Sequence, residues 1–190
     1  MTTMIKTDDS RPLILEGKVH VLLDLEGNVV PDIDTDMIYH NAHLAVTDMA
    51  EMGQYALGNL DGWHDFPDRA EAGDIIVAGR NFGAGSSRQQ AVDCFRSLGV
   101  RCVIAESFGA IYWRNAVNSG FAVLTCPGIL TTGENGTLSV ADGDIIRIQC
   151  ETGKITNVSR NILLPSARPF SAVQKGIYLA GNLFRYGSQE

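Results

Sequence analysis

The sequence predicts a single α/β domain with a parallel βαβαβ core and an added β-rich segment. Three observations predict it. From Asp74 to Cys126, short apolar runs alternate with amphipathic ones, the pattern of strands joined by crossover helices. From Thr137 to Ser159, apolar and polar residues alternate around Asp142-Gly143 and Thr152-Gly153, as in a β-meander. The chain has 190 residues, 45 % of them apolar, which is enough for one domain with a real core.

Taken in order, residues 1–16 are expected to be a flexible tail, with the domain filling 17–190. Lys18–Leu25 alternates like a strand and Gly27-Asn28 turns it. Asp32–Ile38, "DIDTDMI", is extended and dense in carboxylates. Asp48 and Glu51 stand at capping-box spacing and predict a short helix with Met49, Met52 and Ala56 on one face. Leu60–Asp74 is polar and turn-rich, the composition of a surface loop. Asp74–Gly79 is a short buried strand. Ser87–Gly99 is a helix, because Ala91, Cys94, Phe95 and Leu98 recur at helical spacing and Gly99 ends it. Val100–Ser107 is the next strand. Phe108–Gly120 is a second helix with Phe108, Ile111, Tyr112 and Asn115 on one face. Phe121–Cys126 is a third strand. A last helix spans about Phe170 to Ala180, interrupted at Gly176.

Composition excludes several classes of function. The net charge of −7, with no basic stripe, argues against a nucleic-acid partner. No apolar run approaches membrane-spanning length. The N-terminal "MTTMIKTDDSRP" has neither an apolar core nor a cleavage pattern, so a cytoplasmic protein is expected. Cys94, Cys102, Cys126 and Cys150 form no C-x-x-C pair and have no His at ligand spacing. They read as small buried hydrophobes in a reducing compartment, and no metal site is assigned to this chain. His20 and His64 receive no role, and Asn115 reads as a core hydrogen-bonding amide.

The stretch that carries chemistry is Asn81–Phe95, "NFGAGSSRQQAVDCF". Ser86 and Gln89 fit a capping box, and Gly83 and Gly85 fit a tight strand-to-helix turn, so a plain capped helix accounts for most of it. Arg88 then opposes the helix dipole. The alternative is an anion cradle at a helix entrance, with Gly85 open to a ligand, Ser86 and Ser87 supplying hydroxyls, and Arg88 gripping a carboxylate. A phosphate loop would carry a Lys, and a dinucleotide loop a third Gly where Arg88 stands. Carboxylate fits better. A phosphate- or nucleotide-binding module without catalysis is the rival reading.

"NFGAGSSR", with "DIDTDMI" upstream and "VIAESFGAIYWRNAVNSG" downstream, resembles the small subunits of the 3-isopropylmalate dehydratase and homoaconitase group, the swivelling β/β/α domain of the aconitase superfamily. The resemblance runs from about Gly17 to Leu164. It implies a two-subunit hydro-lyase of leucine biosynthesis or a related route, heterodimeric or heterotetrameric, acting on a substituted malate. A separate large subunit is expected to hold a 4Fe-4S cluster, and this chain no cofactor. Ser86 matches the serine base, Arg88 the carboxylate-binding arginine, and Ser87 its neighbour. Asp34, Thr35 and Asp36 read by themselves as Asx-turn chemistry. The resemblance sets them beside the active site, either shaping the loop or touching substrate. Tyr39–Met52 matches the substrate-selecting loop, in which Ala45 takes the position facing the variable arm of the substrate. An alanine there supplies no cation for a third carboxylate and suits an apolar or small substituent. The sequence departs from the family at Ala84, where Cys is usual, and at Gln89-Gln90, where Glu-His is usual.

Overall fold

The structure, a computed structural model, describes residues 11–133 and 136–188. Strand β1 (Ile14–Val21) is the hinge of the architecture. Its first half pairs antiparallel with β5, from Ile14 opposite Gln149 to Lys18 opposite Ile145, and its last three residues pair parallel with β2. The boundary expected at residue 17 therefore moves: Ile14–Glu16 are ladder residues, and Leu15 is fully buried. The first ten residues of the expected tail lie outside the described residues. The strand also stops before Leu25, because Asp24 accepts hydrogen bonds from the backbone of Glu26 and Asn28 and closes a turn.

The chain then forms α1 (Thr35–Ile38), α2 (Met49–Met52) and α3 (Phe66–Arg69). Asp48 caps α2 through the N–H of Ala50. Met52 and Ala56 are buried, whereas Met49 is exposed. The segment expected to be a surface loop is partly core. Trp63 and Phe66 are buried, and the Trp63 indole donates to the Leu23 carbonyl at 2.8 Å. Two large aromatics in a polar run have no periodicity to announce them, but their burial contributes about 1.5–3 kcal/mol each.

The predicted core follows. Strands β2 (Ile75–Ala78), β3 (Cys102–Ala105) and β4 (Ala122–Thr125) are parallel and are linked by α4 (Gln90–Ser97) and α5 (Ala110–Asn118). Strands β5 (Ile145–Gln149), β6 (Ile155–Asn157) and β7 (Ile162–Leu163) make the antiparallel meander. The sheet order is β4-β3-β2-β1-β5-β6-β7. Strand alternation divides the interior. Ile76, Ala78, Val103 and Val123 face one core with Phe82, Phe95 and Tyr112, while Ile75, Val77, Cys102 and Leu124 face the other with Leu15 and Ile148.

Two helical expectations are corrected. Ile111 is exposed, and the buried face of α5 is Tyr112, Ala116 and Val117, since the helix starts at Ala110. Gly176 does not interrupt α6 (Ala172–Ala180); a Cβ there would stand 2.4 Å from the Tyr186 ring, so the glycine admits that ring. Tyr186 belongs to α7 (Leu183–Gly187), a helix the sequence patterns did not announce.

Candidate active site

The glycine-serine turn follows the C-terminal end of β2, where open α/β sheets present ligands. It is not a helix cap. The first helical residue of α4 is Gln90, its N-cap position is Gln89, and no side chain caps it. Ser86 lies too far upstream, and Gln89 donates instead to Asp93 and to Ser119 Oγ at 2.7 Å. The capping-box reading is thus replaced by a loop with its own supports.

Those supports come from the carboxylate-rich segment. Residues 32–36 run alongside 80–86. Asp32 N donates to Arg80 O, Gly83 N to Ile33 O and Thr35 N to Ala84 O. Asp34 and Ala84 form an isolated parallel bridge. Asp34 caps α1, accepting from Asp36 N and Met37 N at 2.8 Å each. The buried Thr35 donates its hydroxyl to Ser86 O at 3.1 Å. Asp36 takes Arg88 Nη1 at 2.5 Å, and the same nitrogen donates to Tyr39 O at 2.9 Å. Asp34, Thr35 and Asp36 therefore act on this loop by bracing it. Arg88 holds the Asp36 carboxyl below its ordinary range, chiefly by that hydrogen bond.

Backbone conformation is concentrated here as well. Asp32 and Asn81, at φ 55° and 57°, are left-handed and tied together by Asn81 Nδ2 to Asp32 Oδ1 at 2.8 Å. Gly83 (φ 76°) and Gly85 (φ 93°) follow. A Cβ on Gly83 would stand 2.2 Å from Tyr112 Cγ, whereas one on Gly85 would meet nothing closer than 3.7 Å. Gly83 serves packing, and Gly85 the open face of the loop.

Gly85, Ser86 and Ser87 are exposed. The backbone N–H groups of Gly85 to Gln89 have no acceptor among the described residues, and neither does the Ser86 hydroxyl. Arg88 uses Nη1 alone, so its Nε–Nη2 edge retains a fork suited to a carboxylate. Such a row of donors beside a cation stabilises an anion.

Three supports were not anticipated. Asn115, expected to bond within the core, reaches Ser87 Oγ at 3.2 Å. Gln89 ties the loop to Ser119 at the end of α5, and Gln90 donates to Leu44 O at 3.5 Å. Ala45 follows Leu44 on an exposed stretch before α2. In the same loop His43 stacks on Tyr55 with ring centroids 3.9 Å apart.

Residues 32–128, which hold both loops and β2 to β4, match the family model described as the aconitase C-terminal domain. A 3-isopropylmalate dehydratase small subunit from Caldicellulosiruptor saccharolyticus is 36 % identical over 174 residues, covering 92 % of this chain and 91 % of that one. The chain belongs to this family of hydro-lyase small subunits. A methanogen homoaconitase small subunit from Methanocaldococcus jannaschii is 35 % identical over the same length, 92 % of this chain and 91 % of its own. A crystal structure of 3-isopropylmalate dehydratase from M. jannaschii superposes with a TM-score of 0.79 at 31 % identity, covering 93 % of this chain and 94 % of that one. Membership in an enzyme family sets aside the rival phosphate- or nucleotide-binding module.

Among the described residues no three His, Cys, Asp or Glu side chains gather as a metal site. The four cysteines are free and buried, and burial raises their thiols, Cys126 to about 11 and Cys150 to about 12. These residues do not fit an iron–sulfur cluster. No helix among the described residues is long and apolar enough to cross a membrane.

Proposed function

We propose that this chain is the small subunit of a two-subunit hydro-lyase that dehydrates or isomerises a substituted malate. A large subunit, in a cytoplasmic heterodimer or heterotetramer, is its partner and carries the 4Fe-4S cluster. The observation that supports this most strongly is the braced, exposed turn: free Ser86 hydroxyl, unpaired N–H groups from Gly85 to Gln89, and an arginine with one edge open.

Ser86 is the base that takes the proton alpha to a carboxylate. A serine oxygen is a poor base in water, and the adjacent N–H groups and the Arg88 cation lower the free energy of its anion once a partner closes the site. Arg88 binds a substrate carboxylate through Nε and Nη2 while Asp36 and Tyr39 O hold Nη1. Ser87, steadied by Asn115, and the exposed backbone at Gly85 line the same anion position. The proton taken by Ser86 and the substrate hydroxyl together make up the water lost in forming the unsaturated acid, and their return to the opposite carbons gives the isomer; the cluster, when held by the partner, would supply the Lewis acid that takes the hydroxyl. Ala45 favours a substrate arm that is apolar or small. Relatives named for isopropylmalate and for homoaconitate match this chain equally well, so the preference rests on Ala45 alone.

The test is a reconstituted, anaerobic complex with its large subunit, followed by absorbance of the unsaturated product. Ser86→Ala should bind the partner normally in gel filtration and lower kcat by about 10²–10⁴-fold, the usual range for losing a positioned base. Full turnover by an assembled Ser86→Ala complex would refute the assignment. Arg88→Lys should raise KM, since an ammonium lacks the two-pronged geometry.

A further inference from the structure

A second concentration of guanidinium groups lies at the other end of the sheet. Val100-Arg101 lead into β3 and Gly120-Phe121 into β4, so their cavity is at the N-terminal ends of the parallel strands, away from the glycine-serine turn. The cavity has a volume of about 490 Å³ and is lined by Arg11, Arg96 and Arg101. Arg96 is paired with Asp93 at 2.7 Å. Arg11 and Arg101 use carbonyl acceptors, Gly120 O at 2.6 Å and Glu16 O at 3.3 Å, and have no carboxylate partner among the described residues. A fourth guanidinium adjoins: a Cβ on Gly181 would stand 3.5 Å from Arg185 Nη1 and 3.8 Å from Arg11 Nη2.

Three arginines lining one cavity, with Arg185 beside Arg11, repel one another in a chain whose net charge is −7. Two carbonyl dipoles and one aspartate offset only part of that. The remaining charge is the complement of a small polyanion, and guanidinium forks bind carboxylate and phosphate oxygens alike. Tyr178, whose ring lies 5.5 Å from the Arg11 guanidinium carbon, adds an apolar wall that fixes one of the cations.

We propose that this cavity is a second anion site, for a small polyanion bearing phosphate or carboxylate groups. It is mechanically continuous with the candidate active site. Arg96 stands on the last turn of α4, whose N-terminal approach carries Arg88, and Met49 of α2 lines the cavity just after the Leu44–Ala45 loop. Occupancy neutralises the arginines and clamps both elements.

The test uses the full chain, labelled with ¹⁵N, titrated separately with pyrophosphate and citrate. Saturable amide shifts are expected at Gly99–Arg101 and Gly120–Ala122. Saturation by either anion supports the site, and the tighter of the two names its chemistry. Arg101 is exposed, so Arg101→Ala and the more conservative Arg101→Gln should both keep the wild-type spectrum. Each should weaken binding at least about tenfold, the loss expected for one charge-assisted contact. Ser87→Ala, an exposed change in the glycine-serine turn, should leave this affinity unchanged, which separates the site from that turn. Shifts confined to residues 85–90, unaltered affinity in both Arg101 variants, or no saturable binding of either anion would overturn the proposal.

Discussion

Gly83 and Gly85 look interchangeable in "NFGAGSSR", yet they should respond very differently to alanine. Both have positive φ, 76° and 93°, which costs an L-residue roughly 1–2 kcal/mol, partly offset by about 0.4–1 kcal/mol from a stiffer unfolded chain. For Gly85 that is the whole effect, because its Cβ would meet nothing within 3.7 Å; a net loss of about 1 kcal/mol follows. For Gly83 the Cβ would lie 2.2 Å from Tyr112 Cγ and 2.4 Å from its Cβ. Neither atom is the far end of a flexible side chain, and Tyr112 is clamped between Phe82 and Phe108. Overpacking of that kind costs about 1–3 kcal/mol more. Gly83→Ala should therefore lose about 2–4 kcal/mol against about 1 for Gly85→Ala. In a chain of this length that separates the two melting temperatures by about 3–10 °C. Urea unfolding of both variants, followed by tryptophan fluorescence, measures the difference. A gap below 0.5 kcal/mol, or a larger loss at Gly85, would refute the packing role of Gly83; the threshold is about the scatter of single-site measurements.

Thr35→Val keeps the shape of a buried side chain but removes the hydrogen bond to Ser86 O. It should cost about 1 kcal/mol in urea unfolding and lower turnover of the assembled complex more than a control Thr47→Val. Asp36 has a folded-state pKa below its ordinary 3.8 because of Arg88, so the unfolded chain takes up that proton first. The stability due to the pair is full above the unfolded pKa and fades as pH falls through the folded one. Asp36→Asn should flatten the decline of the urea midpoint between about pH 5 and pH 2, and an unchanged decline would count against the pair. Burial raises all four thiols, Cys150 to about 12. A disulfide reagent at pH 8 should label them only after unfolding, and rapid labelling of the native chain would contradict their burial.

Strands β2, β3 and β4 and the bodies of α4 and α5 were legible because their signal is local. Four-residue apolar runs alternate with helical stripes, and each glycine that ends a helix lies within a few residues of it. The start of β1 was not legible, since Ile14–Glu16 are held by β5, some 130 residues away in sequence. Nor was the burial of Trp63 and Phe66, which depends on Leu23 and on the sheet face that carries Ile76 and Val103. The site divides in the same way. The residue types in "GSSR" and "DTD" stood out, but their junction did not. Thr35 reaches Ser86 across 51 positions and Arg88 reaches Asp36 across 52, and no periodicity encodes a contact of that range.

That junction changes the meaning of the arginine. Seen locally, Arg88 ahead of a helix is an unfavourable cation that asks for an anion. Asp36 and Tyr39 O already supply one, so the helix entrance is compensated before any ligand arrives. The electropositive feature left over is the run of unpaired N–H groups from Gly85 to Gln89 together with the Nε–Nη2 edge. On the proposed reading, an incoming carboxylate extends an existing pair and need not displace Asp36. Breaking that pair would strip the Asp36 carboxylate of its guanidinium partner and free Arg88 to swing away from the turn. The proposed ligand would then meet a guanidinium already fixed in direction by Asp36 and Tyr39 O, the condition under which hydrogen bonds in a closed site favour a developing negative charge.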